Sequence, residues 1–112
     1  MPHRPVRTPP PAAVTDTITQ VGHQIAAARR RRRWTQADLA RKAGIARLTL
    51  QKLEAGAPGT SLAVLGAVLW AMRLDQPLTT IAALESDPEG LALEEARLGQ
   101  RVRPAATIDD NF

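Results

Sequence analysis

The chain has 112 residues, 44% of them hydrophobic but only 3% aromatic, and it contains no cysteine. That length allows one domain with tails around a core of Leu, Ile, Val and Ala, and the missing thiols exclude a disulfide framework or a thiolate metal site, as suits a cytoplasmic protein. The net charge of +4 conceals a division: residues 1–60 carry eleven Arg and Lys against three Asp and Glu, and residues 61–112 four against eight, so the front half suits a polyphosphate and the rear half a protein partner or plain solubility.

Residues 1–15 hold five of the nine prolines together with Arg4 and Arg7. They read as a disordered arm, either an inert tail or arginines laid along a DNA groove. A helix is expected from about Asp16, with Thr15 as its N-cap and Ile18, Val21, Ile25 and Ala28 facing the core at helical spacing. It ends in the run Arg29 to Arg33. Five consecutive residues pass right round a helix, so these cannot share one job. Part of the run favours the helix dipole, and part is solvated or faces phosphate.

Trp34 to Gly56, W-T-Q-A-D-L-A-R-K-A-G-I-A-R-L-T-L-Q-K-L-E-A-G, reads as two short helices joined at Gly44. Thr35 can cap the first, with Asp38 as a capping-box partner weaker than the usual Glu or Gln. Trp34 and Leu39 stand at the positions of a hydrophobic staple. Leu39, Ala40 and Ala43 give a buried face of mostly small residues, Gly44 supplies the left-handed turn, and Ile45 drops into the core. Leu50 and Leu53 hold the second helix down and leave Leu48, Gln51, Lys52 and Ala55 outward, with Arg47 at the N-terminal edge. Any helical bundle contains two helices and a turn. The combination T-Q-x-x-L-A-x-x-x-G, then L-x-x-L-E-x-G, at these offsets points further, to a DNA-binding helix-turn-helix.

After the loop A-P-G-T, Thr60 or Ser61 caps a helix from Leu62 to about Arg73 that is apolar almost all round. Such a helix must be buried all round. In a domain this small the leftover face, Val64, Val68, Trp70 and Ala71, is expected to meet a second subunit, unless a fifth helix folds back over it. Residues 78–84 carry signals for both helix and strand, and helix is the expectation. From Ser86 to Phe112 the composition becomes that of a flexible tail: Leu91, Leu98 and Val102 could line a helix face, but Glu95 interrupts it and Gly99 weakens it. The tail is either a segment that folds on a partner or merely solvated.

No phosphate-cradling glycine loop occurs, His3 and His23 are not spaced as metal ligands, and no nucleophile, base and acid set can be assembled. Neither enzymatic activity nor a cofactor or metal is expected. The N-terminus lacks the apolar stretch of a signal peptide, and the longest apolar run, Leu62 to Met72, is far short of a membrane span.

Trp34 to Gly56 resembles the DNA-binding domain of the lambda Cro/C1-type repressors, the XRE family. The likeness extends upstream to Val21, Gly22, Ile25 and Arg29 and downstream through Ser61, Leu62, Leu65 and Leu74, covering roughly residues 18 to 84. Within that family the W-T-Q-x-x-L-A-x-K-x-G-I core, the loop spacing before Thr60 and Leu74 are most similar to HipB-type antitoxins of HipBA toxin–antitoxin modules. The resemblance implies an all-α, compact, four- to five-helix lambda-repressor-like domain over residues 16–85, with the helix-turn-helix at about 35–55. It implies a structural ion pair between Arg29 and Glu54. It places base contacts at Ala46, Arg47, Leu48 and Gln51, and phosphate contacts at Gln36, Lys52 and, within the arginine run, Arg31 and Arg33. Arg47 suits guanine O6/N7, Gln51 adenine N6/N7 and Leu48 a thymine methyl. Where Arg33 stands, the family usually has Gly or Asn, so the turn there must be made without its usual left-handed residue. The partners implied are a palindromic double-stranded DNA operator, a second copy of the chain and a HipA-like, kinase-like toxin held in part by residues 86–112. The alternative is a free-standing XRE-family repressor with no toxin partner. A third reading, an adaptor that has lost DNA binding, fits poorly with the basic front half and the intact reading face.

Overall fold

The computed structural model describes residues 8–102. Five α-helices, α1 (Ala12–Arg31), α2 (Gln36–Ala43), α3 (Arg47–Glu54), α4 (Leu62–Ala71) and α5 (Pro88–Val102), are joined by loops and two 3₁₀ turns, Gln76–Thr80 and Leu84–Ser86, with no strand among the described residues. The chain divides into two compact units, residues 1–75 with α1 to α4 and residues 76–112 with both 3₁₀ turns and α5. No described helix is long and apolar enough to cross a membrane.

In the first unit α1 packs on α3, and α2 on both α3 and α4. Ile25, Ala28, Leu39, Ala40, Leu50, Leu53, Val68 and Met72 form the core, with Val21, Trp34, Ala43, Ile45, Leu65 and Leu69 among the half-buried side chains packed around it. Gly22 marks a close approach of α1 to α3. A Cβ there would lie 2.5 Å from the Leu53 carbonyl oxygen and 2.8 Å from that of Glu54.

Helix α1 starts earlier than expected. Pro11 occupies the N-cap, and the hydroxyls of Thr15 and Thr17 bond back to the carbonyls of Ala12 and Ala13 instead of capping. Proline is tolerated at a helix start, where its missing N–H is no loss, and Ala12-Ala13 are the best of helix formers. Residues 12–15 are therefore helix and not disordered arm; residues 1–7 lie outside the described residues.

All four helices of this unit close on a left-handed residue with the paired hydrogen bonds of a Schellman motif: Arg33 (φ 58°), Gly44 (φ 70°), Gly56 (φ 82°) and Arg73 (φ 61°). The turn after α1 thus keeps its left-handed residue, but the residue is arginine.

One expectation about α4 needs correction. Val68 is fully buried within the protomer and belongs to the core, so it cannot line a subunit interface. Leu62 and Trp70 of the same helix are 73% and 63% exposed in the protomer.

In the second unit, residues 78–84 hold parts of two 3₁₀ turns, Gln76–Thr80 and Leu84–Ser86, and neither a strand nor an α-helix, and residues 88–102 form α5. The reason lies in D-P-E-G. The Asp87 carboxylate accepts the Gly90 N–H at 3.0 Å, Pro88 takes the first helical position, and Glu89 faces the dipole. One interior glycine, Gly99, does not outweigh that start. Residues 103–112, the rest of the expected tail, lie outside the described residues.

Candidate nucleic-acid interface

The geometry of α2, the turn and α3 follows from a few side chains. The Thr35 hydroxyl accepts the Asp38 N–H at 3.0 Å while the Asp38 carboxylate accepts the Thr35 N–H at 2.8 Å, a complete capping box. Hydrogen bonding from Thr35, its backbone N–H before its hydroxyl, holds the Asp38 carboxyl below the usual carboxylate range, so it stays charged at the helix N-terminus. At the other end Gly44 and Ile45 donate to Arg41 and Ala40, which turns the chain into α3 within three residues. Helix α3 then buries Leu50, Leu53 and Glu54 and presents the opposite face. Ala46, Arg47, Leu48 and Lys52 are exposed and Gln51 is half-buried. Leu48 alone among the large apolar residues of α2 and α3 stands in solvent, at 60% exposure.

Beneath this face runs a chain of hydrogen bonds. Arg29 donates through Nε to Glu54 Oε2 at 2.8 Å and through Nη2 to Glu54 Oε1 at 3.0 Å. Gln36 Nε2 donates to the same Oε1 at 3.0 Å, and Gln51 Nε2 donates to Gln36 Oε1 at 3.3 Å. Burial pushes the Glu54 carboxyl up, but the hydrogen bonds from Arg29 and Gln36 and the charges of Arg29 and Arg30 outweigh it and hold the group below its ordinary value. The bond to Glu54 in turn raises Arg29. The charged carboxylate can only accept, and this dictates the polarity of the whole chain. Gln36 must turn its NH₂ to Glu54, its oxygen must face Gln51, and Gln51 must donate. Gln51 then keeps one N–H and its carbonyl oxygen, the donor and acceptor that adenine N7 and N6 require. Gln36, expected on phosphate, is thereby also a positioning residue for Gln51, with one N–H to spare.

The arginine run divides its work. Arg29 holds the core and also donates to the Trp34 carbonyl at 2.9 Å. Arg32 donates to the carbonyls of Ala28 and Met72 at 2.9 and 3.1 Å, tying the end of α1 to the end of α4, so it is neither solvated nor phosphate-facing. Arg30, Arg31 and Arg33 are exposed. Lys52 lies on an open hollow of about 400 Å³ with Thr49, Gly59, Thr60 and Ser61, at the N-terminus of α4 where the Ser61 hydroxyl accepts the Val64 N–H. That pairing of Lys52 with a helix start was not anticipated, although A-P-G-T-S carried the capping signal. Of the expected subunit-interface residues other than Val68, Trp70 is exposed and Val64 and Ala71 are half-buried.

The helix-turn-helix domain family matches residues 20–80, more than half of the chain. The chain belongs to that family. It is an XRE-type DNA-binding protein, a transcriptional regulator by its domain. No curated protein and no solved structure matches it.

Proposed function

We propose that this helix-turn-helix protein binds a palindromic operator as a two-fold dimer, with α3 in the major groove of each half-site. Ala46, Arg47, Leu48 and Gln51 read base edges; Lys52, Gln36, Arg31 and Arg33 hold phosphates. The observation that carries the reading is the outer face of α3: an exposed arginine, an exposed leucine and a glutamine whose amide polarity is fixed from below. A single such face offers too few contacts for useful specificity, so two copies act together. Footprinting of the full chain on the DNA upstream of its own reading frame is expected to give two protected half-sites with centres ~34 Å apart on one face of the duplex. Equal affinity for that DNA and for random duplex at physiological salt would sink the proposal.

The finer reading is an antitoxin that represses its own operon and binds a kinase-like toxin encoded beside it. Similarity of the W-T-Q-A-D-L-A-R-K-A-G-I core to HipB-type antitoxins supports it. So does α5, which presents Leu93 and Leu98 to solvent beside Glu94, Glu95 and Arg97, a surface suited to a protein. Co-expression with the neighbouring gene is expected to yield a stable complex that is lost on deleting residues 86–112, while operator binding survives. Full capture by the truncated chain would move the toxin contact to the first unit. No complex at all would leave a free-standing repressor.

A further inference from the structure

We infer that the two copies meet through an open hollow at the end of α4, walled by Trp34, Lys42, Trp70, Ala71, Arg73 and Asp75. Trp70 is the anchor, and Arg73 of each copy pairs with Asp75 of the partner subunit. The inference rests on the dimeric reading above and names the surface that makes it.

Four observations carry it. The hollow measures about 500 Å³ and is flanked by both tryptophans of the chain. Trp70 is 63% exposed on a ten-residue helix without a single charge, while Trp34 is half-buried with Lys42 Nζ 4.8 Å from its ring centre. Exposed tryptophan and arginine around a depression are the side chains on which binding energy concentrates. Secondly, the hollow contains both signs of charge, and these are unused: the ion pairs among the described residues are Arg29–Glu54 and Arg41–Asp38, and neither involves Lys42, Arg73 or Asp75.

A two-fold interface must be complementary to itself. A patch with one sign of charge repels its copy, whereas Arg73 and Asp75, two residues apart, can meet the same pair reversed across the axis. Lys42 stays over Trp34 and needs no partner. An acidic peptide from another protein would find Asp75 in its way, which favours the second copy as occupant. Thirdly, Arg73 closes α4 at φ 61°, where glycine would serve the backbone with less strain, so its side chain supplies something the fold alone does not require. Finally, the hollow shares no residue with the reading face. Gln36 and Lys42, six positions apart on α2, point about 120° apart around the helix axis, which leaves α3 free for DNA while the hollow is covered.

Sedimentation equilibrium of the full chain tests this. The parent is expected to dimerise at micromolar concentration. Trp70→Ala, Arg73→Asp and Asp75→Arg are each expected to weaken dimerisation at least tenfold. Each charge variant places like charges opposite each other, so the double variant Arg73→Asp/Asp75→Arg is expected to recover the dimer. An equimolar mixture of the two single variants is expected to form a heterodimer. Recovery in these arms separates lost contact from lost folding. Charge variants that dimerise like the parent, or a double variant that fails to recover, would overturn this surface and leave the dimeric reading standing. A parent that stays monomeric throughout would overturn both.

Discussion

Arg29 and Glu54 face each other across the packing of α1 on α3, with two guanidinium nitrogens 2.8 and 3.0 Å from the two carboxylate oxygens. Both residues are less than a tenth exposed. The third guanidinium nitrogen holds the Trp34 carbonyl, and the carboxylate also receives Gln36, so one pair seats α1, the loop after it, α2 and α3.

Removing either partner leaves the other charge buried without compensation. Arg29→Ala and Glu54→Ala are each expected to cost about 3–5 kcal/mol, read from the urea midpoint. Because the folded state lowers the Glu54 pKa, its contribution is complete above the ordinary carboxylate value and is lost as pH falls through the lower folded one. Glu54→Gln should therefore flatten the acid limb of stability against pH. An unchanged acid limb together with unchanged midpoints would show that the pair does not hold the fold.

Gly22→Ala is expected to destabilise by about 1–3 kcal/mol although alanine is the better helix former. The atoms in the way are backbone carbonyl oxygens of Leu53 and Glu54, which cannot swing aside as a side chain would. Gly66→Ala in α4 meets nothing within 4 Å and is expected to gain up to about 1 kcal/mol. Thermal melts of the two variants should move in opposite directions; a shared direction would refute the close approach.

Arg33→Gly is expected to stabilise, since φ 58° costs an arginine roughly 1 kcal/mol and glycine nothing steric, offset in part by the freer unfolded chain. The melting temperature should rise by a few degrees. A fall would mean that the Arg33 side chain contributes more than its backbone loses.

Local signals made the centre of the domain legible. Thr35, Asp38 and Gly44 act on neighbours within a few residues, so their capping and turn chemistry could be read directly, and the alternation of Leu50 and Leu53 with Leu48 and Gln51 separated the two faces of α3. The Arg29–Glu54 pair spans 25 positions and came through resemblance to a family. The hydrogen bonds from Gln51 to Gln36 and on to Glu54 were not legible, because nothing in their spacing says that the starts of α2 and α3 converge. Elsewhere two local signals mislead. Thr15 has the chemistry of a cap but bonds back inside α1, and Asp87-Pro88-Glu89, within a stretch of tail-like composition, starts α5. Val68 was misplaced because α4 carries no polar stripe, so its pattern could not tell an inner face from an outer one.

The reading face yields the last prediction. Gln51 is aimed by Gln36, whereas Arg47 stands exposed at the start of α3 with no such support. Arg47→Ala should weaken operator binding by about 1–3 kcal/mol and relax sequence preference at one position. Lys52→Ala should weaken binding to all sequences alike and reduce the salt slope by about 1. Gln36→Ala removes a phosphate contact and the acceptor that fixes the Gln51 amide, so beside a loss shared by all sequences it should lose part of the base preference that Gln51→Ala loses, at the same base pair. The double variant should then discriminate at that base pair little worse than Gln51→Ala alone, while Arg47→Ala adds fully to either. Titrations of the four single variants and these combinations against operator and one-base substitutions decide the point. Additive losses of discrimination at that base pair for Gln36 and Gln51 would show that the glutamines act independently, and the assignment of Gln36 as the residue that positions Gln51 would fail.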